Sequence, residues 1–224
     1  MIHLQDELKQ LKDSLLEMSY QVMNQLQKSA DSLNDFDKEL AQEVIRNEKR
    51  INAHELKIDK ECEVIVSLMA PVARDMRFVF ATLKINNNLE RIADYAENIS
   101  LAVMELTHAY DKELLQQLRM EEMQKTALSM MTDVITAYES ENSEIARGVF
   151  MDDFTLNEIH RAAKPLIAAQ CRKDPDNILS YMDLWSAVRR LERIGDHLTN
   201  IAEEIIFYVD ATVLKHEGKE SKRE

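Results

Sequence analysis

The segment LERIADYAENI, beginning at Leu89, is written a second time as LERIGDHLTNI, beginning at Leu191. Leu, Glu, Arg, Ile, Asp, Asn and Ile recur in register, seven identities in eleven positions. Two copies of one segment need two equivalent surroundings, so the chain is expected to consist of two related halves. Each copy carries apolar residues at helical spacing, which makes the repeated unit a helix.

The rest of the 224 residues agrees, because only 3 Gly and 3 Pro interrupt a sequence rich in good helix formers. Helical periodicity is nearly continuous, and breaks are expected near Ser32–Asp37, Met69–Pro71, His108–Asp111, Glu139–Asn142 and Lys173–Asp176. Five breaks leave six helices. LKQLKDSLLEM in the first half answers to LQQLRMEEMQK in the second, and KELAQEVIRNEKRINAHEL answers loosely to SEIARGVFMDDFTLNEIHR. The expected fold is therefore all-α, two tandem pseudo-symmetric three-helix bundles over 1–108 and 109–212, followed by a charged tail over 213–224. KHEGKESKRE, at the end of that tail, reads as a solvated terminus. Pro165 and Gly148 fall inside the fifth helix, where a kink is expected. Asp75 is expected to cap or brace the start of the third.

A net charge of −13 and a pI near 5.0 exclude a nucleic-acid surface, since phosphate binding needs a basic stripe. Cys62 and Cys171 sit in apolar helical patterns with no paired spacing, as reduced, buried thiols of a cytoplasmic protein do. The N-terminal stretch has no apolar signal core, and no run approaches the length of a membrane span. A chain neither exported by a standard signal nor membrane-spanning is expected.

The repeated helix places Leu89, Ile92, Ala96 and Ile99 on one side and Glu90, Asp94 and Asn98 on another. Its copy does the same with Leu191, Ile194, Leu198 and Ile201 against Glu192, Asp196 and Asn200. Acids one turn apart repel by roughly 0.2–0.5 kcal/mol, and a cation relieves that repulsion. The bland alternative is a solvated helix face. Two carboxylates are too few for a metal site, so further ligands must come from a neighbouring helix, where Glu55 and Asp59 have the same spacing. Counted from the turn at Pro71, the two pairs are offset by roughly 10 Å, a gap that an overhanging turn or helix tilt closes. In the second half Glu158 aligns with Glu55 but Ala162 replaces the second acid, leaving His160 or Asp153 as substitutes.

Other constellations are weaker. One ExxH pair, Glu105 to His108, lacks the partner that a di-iron bundle requires. No phosphate loop, nucleophile elbow or HExxH motif occurs. His197 follows Asp196 where the first copy has Tyr95, so it reads as a ligand or as a surface or supporting residue. Met120, Met123, Met130 and Met131 read as core filling. Arg91 and Arg193 point about 100° away from the acids on the helical wheel and receive no binding role.

APVARDMRFVFATLKINNNLERIADYAENI and LWSAVRRLERIGDHLTNIAEEIIFYV together resemble the PhoU family of bacterial phosphate-signalling regulators, a likeness covering most of the chain. The resemblance implies tandem three-helix bundles whose acidic ExxxD motifs hold metal ions, here Glu90 and Asp94, Glu192 and Asp196, and Glu55 and Asp59. Ala93 and Tyr95, where the second copy has Gly195 and His197, and the acid missing at Ala162 depart from that pattern. Fe, Zn, Mn or Mg would suit such sites. The resemblance further implies a non-enzymatic cytoplasmic regulator, peripheral to the membrane only through its partners; a homodimer is expected on general grounds, as the commonest assembly of soluble proteins. It would couple a phosphate ABC transporter, through its ATPase, to a sensor histidine kinase and damp the phosphate-starvation response when phosphate is plentiful. Two alternatives stay open: a carboxylate-bridged metalloenzyme, and an accessory of a different phosphate transporter.

Overall fold

A computed structural model describes residues 4–214; of the tail expected over 213–224, residues 215–224 lie outside the described residues. Among the described residues there is no strand. Three 32-residue helices come first, α1 (Leu4–Asp35), α2 (Lys38–Met69) and α3 (Arg74–Glu105). A short α4 (Lys112–Gln117) leads to α5 (Met120–Ser140), α6 (Ser143–Lys173), a 3-10 turn (Pro175–Asn177) and α7 (Ile178–Asp210). No helix among the described residues is long and apolar enough to cross a membrane.

The helices form because apolar residues recur at alternating intervals of three and four. On α3 the series Phe78, Thr82, Ile85, Leu89, Ile92, Ala96, Ile99, Val103 is buried, and on α7 so is Tyr181, Leu184, Val188, Leu191, Gly195, Leu198, Ala202, Ile205. Such a seam faces one direction along a slightly under-wound helix, which is what long antiparallel bundle packing needs. Helix α1 packs on α2 and α3, and α6 packs on α5 and α7, giving the two three-helix bundles. These are not separate bodies. α3 packs along α7, α1 touches α5, and one cluster of buried side chains runs through both halves.

The expected breaks are all present, with Asp37, Asp111 and Asn142 each accepting a backbone N–H at the start of α2, α4 and α6. Among the described residues the six expected helices become seven because LQQLRMEEMQK does not run through. Leu118 turns into the core and Arg119 adopts a left-handed backbone at φ 52°, separating α4 from α5. The Arg119 guanidinium fixes that bend by donating to Glu122 at 2.6 and 2.7 Å and to Glu158 at 2.7 Å.

Three smaller points follow. α6 stays helical through Pro165, which lies on its exposed side where water can reach the carbonyl that the proline leaves unbonded. Asp75 does not cap α3. The N-cap is Ala73, with no side-chain bond, and Asp75 stands in the first turn, where a carboxylate favours the positive end of the helix dipole. Cys62 is buried as expected but Cys171 is only half-buried; both are free.

Glycine-poor turns carry strain. Phe36, Ala70, Ala73, Arg119, Glu141 and Ala211 all have positive φ, and Ala73, at φ 47° and ψ −109°, lies in a region that side chains rarely enter. Ala73 is exposed, so removing its Cβ sacrifices no packing. The Ala73→Gly variant is expected to be more stable by about 1 kcal/mol, the relief of strain exceeding the added freedom of the unfolded chain. In thermal denaturation that is a rise of roughly 2–4 °C in Tm.

Candidate functional site

Helix α3 turns its apolar seam inward and carries its acids along the border with α2. Leu89, Ile92, Ala96 and Ile99 are buried, whereas Glu90, Asp94 and Asn98 are half-buried. The counterpart residues of α7 divide the same way except at Asn200, which is exposed. A half-buried carboxylate is partly stripped of water yet still reachable from solvent, a state that favours an ionic partner.

In the first half α2 and α3 meet along the border that carries both pairs of acids. Asn86 of α3 donates from one amide to the Glu55 carbonyl at 3.0 Å and to Asp59 Oδ1 at 2.8 Å, locking the two helices in antiparallel register. Glu55, Asp59, Glu90 and Asp94 therefore gather on one border. Burial, reinforced by the charges of Asp94 and Glu55, holds the Glu90 carboxyl above the usual range against a downward pull from Arg91. Glu55 is raised by burial and then by Asp59.

Glu48, two turns further along α2, belongs to the same border and sequence periodicity did not single it out. Its side chain is 4% exposed, accepts from Gln25 Nε2 at 2.6 Å through Oε2, and its Oε1 has no hydrogen-bond partner. Burial first, then the carboxylates of Glu97, Asp94 and Glu90, push it up to about 7. Glu97 is itself raised by burial and by Asp94. The signal that could have found Glu48 is a charged residue standing among the core positions Ala41, Val44, Ile51 and Ile58 of α2.

The second half uses different residues in the equivalent places. Glu158 does not occupy the place of Glu55: it is exposed and bound to Arg119. Ala162 is exposed as well. Instead His160 stands opposite Glu192, with Nδ1 to Oε1 at 3.7 Å, and its ring stacks on Trp185 at 5.0 Å. Asp153, 6% exposed, answers to Glu48. Of the six residues expected as ligands, four thus line one border in the first half, and the pair Glu192 and Asp196 in the second faces a histidine and a buried aspartate. Burial and Asp196 raise Glu192, with His160 pulling it down.

Gly195 sets the spacing of that second border. A Cβ there would lie 2.5 Å from Leu156 Cδ1 and 3.2 Å from Asp153 Oδ1, whereas the first copy carries Ala93 at the same point.

Arg91 and Arg193 do have a role in the geometry. Each folds back over its own helix, Arg91 to Asp94 at 3.2 Å and Glu90 at 3.6 Å, Arg193 to Asp196 at 3.1 Å and Glu192 at 3.7 Å. The two motifs meet where α3 crosses α7. Tyr95 and His197, equivalent in the repeat, lie with ring centroids 5.7 Å apart, so a pseudo-twofold axis passes between them. His197 Nδ1 and Asn88 Oδ1 are 2.8 Å apart, with the ring nitrogen as donor in the tautomer that the amide oxygen requires. Burial lowers the His197 pKa; Asp196 opposes this, while Arg91 and Arg193 add to it, so cations from both halves reach one ring. Lys84 bridges the same interface to both Glu204 oxygens at 2.9 and 3.0 Å.

The carboxylate donors are hard oxygens suited to a divalent cation, and the buried Glu48 oxygen gives the first border an unsatisfied acceptor. Among the described residues no group of three or more His, Cys, Asp or Glu side chains is arranged so as to hold a metal ion. The guanidinium groups stand on the stripes instead.

Comparison with known proteins places this geometry. The sequence pattern of a family described as the PhoU domain matches residues 15–103 and again 120–205, once per half. A Burkholderia protein described as a phosphate-specific transport system accessory protein PhoU homolog is 34% identical over 90% of this chain and 86% of its own. The Escherichia coli phosphate-specific transport system accessory protein PhoU is 28% identical over 95% of this chain and 87% of its own. The crystal structure of PhoU from Pseudomonas aeruginosa superposes with a TM-score of 0.88 at 28% identity, covering 94% of this chain and all of that one.

Two outcomes check the borders. In chelator-treated buffer, stability is expected to fall as pH rises from about 4.5 to about 7, because the native state holds a proton on Glu48 that the unfolded chain has already released. The Glu48→Gln variant should flatten that dependence and exceed the parent by about 1–3 kcal/mol at pH 8, read from urea unfolding at several pH values. Gly195→Ala should cost about 1–3 kcal/mol, since Leu156 is fully packed and cannot yield freely. A neutral result would mean that α6 shifts without penalty.

Proposed function

Because the chain belongs to the PhoU family, with one PhoU domain match in each half, we propose that it is a non-enzymatic accessory regulator of a phosphate-specific transport system. The observation that carries this reading is the likeness, over 95% of the chain, to an Escherichia coli protein named as such an accessory. In the finer form it is a cytoplasmic homodimer that links the ATPase of a phosphate ABC transporter to a sensor histidine kinase and damps the starvation response when phosphate is plentiful. An adaptor works through surfaces. Leu68 and Val72 at the α2–α3 turn and Leu179 at the start of α7, 77, 72 and 82% exposed, supply apolar contacts of the kind that transient partners use. Deleting the gene is expected to raise phosphate-starvation transcripts in phosphate-rich medium, with restoration by the intact gene; unchanged transcripts would remove the regulatory reading.

A second reading concerns the stripes. Glu55, Asp59, Glu90 and Asp94 would hold one divalent cation, with Glu48 beside them, and Glu192 and Asp196 a second with His160 and Asp153. Bound metal would neutralise carboxylates whose charges now raise Glu90 and Glu192, Asp94 and Glu55 acting on the first and Asp196 on the second. Fe, Zn, Mn and Mg all accept such oxygen donors, and a histidine in the second set favours the transition metals there. Elemental analysis of protein purified without a tag should find metal that is lost in the Asp94→Ala/Asp196→Ala double variant.

A further inference from the structure

The bend at Arg119 opens a groove between α1, α4 and α5. The pseudo-symmetry fails there, because α1, the counterpart of α4 and α5, runs unbroken for 32 residues. The space between the three helices measures about 680 Å³. That is the size of a ligand site rather than of a packing defect. Ala30, Leu115, Met120 and Leu128 give it apolar walls.

A pair of side-chain amides also lines the groove. Asn34 Nδ2 donates to Gln124 Oε1 at 2.7 Å, bridging α1 and α5. The bond leaves Asn34 Oδ1 and Gln124 Nε2, which have no hydrogen-bond partner among the described residues. Interchanging oxygen and nitrogen in both amides leaves the same inventory, one donor group and one acceptor. Gln124 is 5% exposed, so packing holds its amide in place against the groove. A fixed donor beside an acceptor is the complement of one peptide group, whose N–H and C=O need one of each.

The rims carry charge of both signs. Lys125 is paired with Glu121, and Arg119 with Glu122 and Glu158. Asp35 on the α1 rim and Lys112 on the α4 rim are exposed and have no ion-pair or hydrogen-bond partner among the described residues. From Gln27 to Asp35 the α1 wall extends roughly 12 Å, room for about four extended residues.

The geometry points to this groove as the binding site for an extended peptide segment of a partner protein, in which an apolar side chain stands between a basic and an acidic one. One peptide group of the segment bonds to the Asn34–Gln124 pair, the apolar side chain covers Leu115 and Leu128, and the flanking charges meet Asp35 and Lys112. The assignment follows from the groove's own chemistry and stands whether or not the chain regulates phosphate transport.

The test selects a phage-displayed library of random heptapeptides on the full-length chain. Enriched sequences are then made as acetylated, amidated, fluorophore-labelled peptides, and binding is read by fluorescence anisotropy. Sequences that combine a basic, an apolar and an acidic residue should be enriched. Gln124→Met, which keeps most of the side-chain volume, should weaken binding roughly fivefold to tenfold. Asp35→Asn and Lys112→Gln should each weaken it roughly threefold and relax the preference for the opposite charge. Gln116→Trp, made at an exposed position on the α4 rim, should fill the groove and abolish binding with Tm unchanged. That variant decides the matter if Gln124→Met fails to fold. No enrichment over the unselected library overturns the proposal, as does a peptide bound equally well by Gln116→Trp and the parent. Displacement of the peptide by an equal concentration of free lysine or glutamate makes the site one for a small zwitterion and overturns it too.

Discussion

The apolar seams of α3 and α7 are the constraint on which the rest depends. Each must be covered on three sides, by two helices of its own half and by the other seam helix, and that requirement fixes which residues are left at the borders. Acids placed one position beyond Leu89 or Leu191 cannot reach full solvent, nor can they be fully enclosed. Their half-burial is therefore a consequence of where the core must go. Carboxylates in such a position repel one another more strongly than on an open helix face, and Asn86, Arg91 and Arg193 are arranged around that repulsion.

The fold was legible because its signals are long and locally consistent. Helix identity, all five breaks and the pairing of halves follow from periodicity, capping residues and the duplicated segment. The bend at Arg119 was not legible, because nothing local marks it: LQQLRMEEMQK is good helix sequence throughout, and the turn is held by Glu158, 39 residues away. Pro165 lies on the exposed side of α6, and sequence does not say which side of a helix is wet.

The candidate site was legible where the repeat reports on it and obscure where it does not. Glu90, Asp94, Glu192 and Asp196 stand out because they recur. Glu55 and Asp59 follow from spacing, but the place of Glu55 in the second half falls to His160, two residues beyond the aligned Glu158. A two-residue slip in a helix with few landmarks is invisible in sequence and decisive in space. Glu48 was missed because a buried acid looks like any other helical acid until the neighbouring helix is in place, whereas Asp153 was named only as one of two substitutes for the absent acid.

The continuous core has a consequence for communication within the molecule. Since α3 and α7 lie against each other through Tyr95 and His197, with Lys84 and Glu204 clasped further along, neither helix can slide or rotate without the other. Were the crossing to have two settings, an event at one border that favoured one of them would be felt at the far border, and thermodynamic linkage would make the influence mutual. Two borders with different chemistries, carboxylate against carboxylate on one side and carboxylate against imidazole on the other, then share a single mechanical variable. The crossing thus joins two chemically unequal borders in one packed interface.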